Sequence, residues 1–95
     1  MNKYSIDRKP TDVMLMLAER HKLIRKEAGY SQAEAALRSG VSLGSLKRFE
    51  TTGQISLESL CLLSDLYDRL NDFDAIFRQD DLLKIENYFS KNTRE

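Results

Sequence analysis

The chain has 95 residues, of which 41% are apolar and 32% charged, with one Pro, four Gly and one Cys. This is enough chain for one core and too little for two, and its composition is that of a folded protein, not a disordered one. Fifteen Lys and Arg balance fifteen Asp and Glu; taken whole, that zero argues against a nucleic-acid partner, but residues 1–50 carry ten cations and six carboxylates and residues 51–95 five and nine, so the halves are +4 and −4.

Residues 1–10 read as a flexible N-terminal arm in which only Tyr4-Ser5-Ile6 has the look of a short strand. Pro10 and Thr11 suit a helix start, and Val13, Met14, Leu17, His21, Ile24 and Ala28 then recur at three- and four-residue steps until Gly29, which predicts a first helix over about 11–28. Ser31-Gln32-Ala33-Glu34 has the form of a capping box and Gly40 ends the short helix it opens, over about 32–39. Val41-Ser42 turns the chain, and Ser42 opens a third short helix with Leu46 and Phe49 as its inward pair, ending before Thr52-Gly53.

Ser56 starts a Leu-rich helix carrying Leu57, Leu60, Cys61, Leu63, Ser64 and Tyr67, apolar nearly all round and so expected to be central, with Asn71 and Asp72 to break it. Phe73, Ile76 and Phe77 make a short amphipathic segment, and Asp80 caps a last helix with Leu82, Leu83, Ile85 and Phe89. No stretch alternates with a period of two, so the predicted class is all-α. The longest apolar run, Val13 to Ala18, is six residues, against roughly 20 for a bilayer span. No apolar export signal stands in the first ten residues, and a lone Cys61 makes no internal disulfide, so a cytoplasmic location is expected. One His, one Cys and dispersed carboxylates do not assemble a nucleophile with a base, nor a metal set. No enzyme activity and no cofactor are expected.

Two short helices joined by a Gly-containing turn, with small Ala36 at the crossing and Val41, Leu46 and Phe49 at the junction, form a helix-turn-helix pattern. Segment 31–50 resembles the Xre/Cro/C1-type helix-turn-helix family of bacterial and phage repressors, and the likeness extends over about 17–70, from the Ile24-to-Gln32 lead-in to the helix after Ser56. The resemblance implies a five- to six-helix lambda-repressor-like DNA-binding domain over 11–78, with a C-terminal helix and tail over 79–95. It implies that Gln32 reaches DNA from the start of the second helix, and that Ser42, Leu43, Gly44, Ser45, Lys47 and Arg48 form the face laid in the major groove. There Arg48 or Lys47 suits a guanine edge and Leu43 a thymine methyl. Arg25 and Glu50 match positions that pair structurally.

The sequence departs from the family pattern at two positions where aliphatic residues usually stand. Ala35 leaves a gap for Tyr30, Leu37 or Phe49 to fill, and His21 is expected as a hydrogen-bonded core residue. Single domains of this size gain affinity by two-fold symmetry, so a homodimer on palindromic double-stranded DNA is expected. Phe73, Ile76, Phe77, Leu82, Leu83, Ile85, Tyr88 and Phe89 in the acidic half would carry the dimer or partner surface. The alternative is a HipB-like antitoxin that also holds a toxin protein.

Overall fold

The structure is a computed structural model and describes residues 7–79. Among the described residues four α-helices follow one another, α1 (Pro10–Glu27), α2 (Gln32–Ser39), α3 (Leu43–Thr52) and α4 (Leu57–Leu66), and a 3-10 turn spans Leu70–Ala75. No strand occurs among the described residues; Tyr4 to Ile6 and the segment from Asp80 lie outside them.

Each boundary has a local cause. Pro10 occupies the first position of α1, where its missing N–H costs nothing, and the Lys9 N–H donates to the Asp12 carboxylate at 2.9 Å. At the other end, Gly29 adopts φ 84° while its N–H and that of Tyr30 donate to the carbonyls of Lys26 and Arg25, a Schellman closure. Ser31, Ser42 and Ser56 cap α2, α3 and α4 by accepting the N–H three residues on, from Glu34, Ser45 and Ser59. Only half of the expected capping box forms at α2, because the Glu34 carboxylate turns outward to Arg38 at 3.1 Å.

The core comprises Ala18, Ala35, Ala36, Val41, Leu46, Phe49 and Leu63. Full burial of Leu46 and Phe49 contributes roughly 1.5–3 kcal/mol each. α1 packs on α3, α2 on both α3 and α4, and α4 on the 3-10 turn. Small residues permit this: Ala35 is wholly buried and Ala36 nearly so where α2 meets its neighbours, and Gly53 lets α3 end against α1. A Cβ on Gly53 would stand 2.8 Å from the backbone carbon of Met14, a separation real atoms do not adopt.

Several expectations are corrected. Within α1 the deepest residues are Ala18 and Arg25, while Val13, Met14, Leu17, His21 and Ile24 are half-buried and Ala28 is exposed, so the inward face leaves the helix before residue 28. Leu37 is 84% exposed and fills no gap beside Ala35; Tyr30 packs against the core instead. α4 ends at Leu66, several residues before Asn71, because Asp68 takes φ 60° and the Asp68 and Arg69 N–H groups close back on Asp65 and Ser64. Asp tolerates that left-handed site, so a Schellman closure forms without the glycine that signals one. Nor is α4 buried all round: Leu63 and Ser64 face inward, Cys61 is half-buried, and Leu57 and Leu62 are exposed. Phe73 is half-buried in the 3-10 turn, whereas Ile76 and Phe77 lie beyond it, exposed.

Candidate nucleic-acid interface

α3 is two-faced. Leu46 and Phe49 are each 1% exposed and seat it on α1 and α2, while Ser42, Leu43, Gly44, Ser45, Lys47 and Arg48 are all exposed. The Ser42 hydroxyl, besides capping, lies 2.8 Å from that of Ser45. Thr51 and Thr52 send their hydroxyls back to the carbonyls of Lys47 and Arg48, four residues earlier, as second donors to acceptors within the helix ladder. The result is a short helix with both ends tied and one side open.

Beneath that helix, three elements are held by one polar knot. Arg25 of α1 donates from Nε to Glu50 Oε2 at 2.7 Å and from Nη2 to Glu50 Oε1 at 3.0 Å, while its Nη1 reaches the Tyr30 carbonyl at 2.8 Å. Gln32, the first residue of α2, donates Nε2 to Glu50 Oε1 at 2.9 Å. Both charged side chains are buried, 7% and 4% exposed. Burial on its own pushes the Glu50 carboxyl up, but the hydrogen bonds from Arg25 and Gln32 and the Arg25 charge outweigh it and hold the group below its ordinary value. The bond to Glu50 raises Arg25 in turn. Gln32 is thus committed to the knot and is half-buried, rather than exposed like the α3 residues.

An aromatic cluster packs beside the knot. The His21 ring meets Phe49 edge-on at 5.5 Å and Tyr67 at 6.0 Å, Tyr67 stacks on Tyr30 at 6.4 Å, and the Arg38 guanidinium sits 5.5 Å from the Tyr30 ring centre. The expectation of a satisfied histidine fails at one atom: His21 Nδ1 is buried without a hydrogen-bond partner. Desolvation, reinforced by Arg69 and opposed by Asp72 and Glu50, lowers the His21 pKa. Tyr67 is pushed up to about 12, first by burial and then by Glu50.

The electrostatics of the surface follow. Glu50 is neutralised inside by Arg25, so residues 31–52 show solvent three cations, Arg38, Lys47 and Arg48, against the single carboxylate Glu34. Between α3 and the start of α4 lies an open cleft of about 300 Å³ lined by Ser45, Arg48, Gln54, Ile55, Ser56 and Ser59. Gln54 escaped the sequence reading; its signal is the Thr-Thr-Gly-Gln run, since the residue after a left-handed cap glycine folds back over the turn it ends.

A capped, amphipathic α3 presenting a cationic outward face, set across the left-handed Gly40 turn from α2, is a helix-turn-helix. A family model described as helix-turn-helix matches residues 22–71, a little over half of the chain. The chain belongs to the Xre/Cro/C1-type helix-turn-helix family. It is accordingly a DNA-binding regulator of transcription, with an all-helical, lambda-repressor-like domain. Searches of curated proteins and of solved structures give no match. Among the described residues no helix is long and apolar enough to cross a membrane.

Proposed function

We propose that this helix-turn-helix regulator is a repressor that binds a palindromic operator as a homodimer, with α3 in the major groove of each half-site. The observation that carries the reading is the division of α3, whose inward face is sealed by Leu46 and Phe49 while Ser42 to Ser45, Lys47 and Arg48 are exposed. A helix held this way offers side chains to base edges without disturbing its own seat. Lys47 and Arg48 supply charge for phosphate or guanine, Leu43 an apolar contact for a thymine methyl, and Gly44 room for close approach. Gln32 acts through the knot that orients α2 on α3, with its helix N-terminus turned to the DNA backbone.

Protection mapping on DNA upstream of the gene tests this. The expected result is a footprint with two-fold symmetry that Lys47→Ala and Arg48→Ala abolish while their thermal melts stay unchanged. Equal footprints for wild type and variants would overturn it. Gln32→Ala is a poorer probe, because it also removes a donor from buried Glu50.

A second reading, a HipB-like antitoxin that both represses and holds a toxin protein, draws on the far end of the domain. There Leu70, Ile76 and Phe77 are exposed, Phe77 at 96%, beyond what a surface needs for folding. Leu82, Leu83, Ile85, Tyr88 and Phe89, assigned to the same surface, lie outside the described residues. Co-purification with the product of an adjacent gene, lost on Phe77→Ser and Ile76→Ser, distinguishes the antitoxin from a repressor that only pairs with itself.

A further inference from the structure

Arg48 is exposed, yet its guanidinium is not loose. Its Nε donates to Gln54 Oε1 at 2.9 Å and its Nη2 to the same oxygen. A guanidinium only donates, so the amide oxygen of Gln54 must face it. Gln54 is itself fixed: its backbone N–H donates to Thr52 Oγ1 at 3.1 Å, and that hydroxyl donates to the Arg48 carbonyl at 2.7 Å. The turn after α3 therefore grips Arg48 at both its carbonyl and its guanidinium, across the left-handed Gly53.

Consequences for recognition come from which edge is used. Five N–H bonds radiate from a guanidinium in a fixed plane. Gln54 takes the Nε/Nη2 side, which leaves the Nη1/Nη2 end, two parallel donors, for a second planar acceptor. That end has the spacing of the O6 and N7 acceptors on a guanine in the major groove. An arginine held in one plane loses less rotamer freedom on binding than one swinging in solvent. Both side chains line the open cleft beside α3, so the guanidinium is accessible in this pose.

We propose that Gln54 is a positioning residue for sequence readout: it presents the end of Arg48 to a guanine and so sets the base preference at one operator position. This rests on the DNA-binding reading of α3, and the test separates the two. Wild type, Arg48→Ala, Gln54→Ala and Gln54→Glu full-length chains are each used to select duplexes from a random library. Affinities for the wild-type selected duplex, and for versions with that guanine replaced or changed to 7-deazaguanine, are then measured over a range of salt. Wild type is expected to select a guanine whose preference vanishes in Arg48→Ala. Gln54→Ala should lose about tenfold or more of the discrimination at that one position, with an unchanged salt slope and unchanged melt. Gln54→Glu, whose carboxylate accepts the same edge, should keep the preference at lower overall affinity. Full discrimination by Gln54→Ala, or a uniform loss at every position, overturns the proposal while leaving the regulator reading intact; failure of the wild type to select any sequence overturns both.

Discussion

Arg25 and Glu50 show why a charged pair belongs inside this small domain. Three donors converge on the one carboxylate of α3, two from Arg25 of α1 and one from Gln32 of α2, so the pair specifies how α1, α2 and α3 meet. Removing one partner strands the other charge in the interior, which costs roughly 3–5 kcal/mol. Arg25→Ala and Glu50→Ala are each expected to lower stability by that amount in urea titrations, and Glu50→Gln by less, since it keeps an acceptor. The pH dependence follows from two lowered pKa values. His21, ordinarily near 6.5, is held neutral by burial, so its contribution is complete above that value and declines as pH falls below it. Glu50, ordinarily near 4.5, contributes fully above that value and its contribution is lost as pH falls through its lower folded value. Thermal midpoints should therefore drop in two stages on acidification. His21→Phe should flatten the first, which sets in as pH falls below about 6.5, and an unchanged profile in that variant would remove His21 from the account.

At the scale of elements, glycines and caps decide where helices stop, and two glycines with the same φ near +80° do different jobs. A Cβ on Gly40 meets nothing within 4 Å, whereas on Gly53 it collides with Met14. Gly40→Ala should cost about 1 kcal/mol for its left-handed backbone. Gly53→Ala should cost clearly more, because α3 must also shift from α1, and equal losses in denaturant would contradict that packing. Gly44 is the opposite case: it sits inside α3 in open space, so Gly44→Ala should stabilise by about 0.5–1 kcal/mol. If α3 approaches DNA closely, the same change weakens DNA binding, a dissociation of stability from affinity that a melt and a binding titration together detect. The helices around the motif were legible in the chain because Ser31, Ser42, Gly40 and Gly53 punctuate it. The end of α4 was not, since Asp68 does there what glycine usually does.

For the whole molecule, the zero net charge conceals a division of labour. The helix-turn-helix lies in the half that carries +4, and the half that carries −4 holds the exposed apolar end with Leu70, Ile76 and Phe77. A weakly cationic face implies few phosphate contacts, so the slope of log affinity against log salt should correspond to a handful of phosphates per domain, at about 0.9 per contact. A slope near zero would contradict DNA contact through Lys47 and Arg48. Sedimentation checks the self-association proposal: the full chain is expected to run as a dimer, and a chain truncated after Asn71, which lacks the proposed surface, as a monomer or an unstable protein. A full-length monomer at micromolar concentration would refute it.

By itself the sequence determined the helical class, the starts of the four described helices, the turn of the motif, and the division of α3 into a buried pair and an outward face. These depend on local rules, in which a cap residue, a left-handed glycine or a three-to-four periodicity acts within one or two turns. What only the tertiary structure decided is contact between residues far apart in the chain. Gln32 bonds Glu50 rather than standing free, His21 has a buried nitrogen without a hydrogen-bond partner, Leu37 is exposed, Ala18 lines the core, and Gln54 holds Arg48. Such pairings depend on the angles at which helices cross and on which side chains compete for one partner, and those are set only when all the elements pack together.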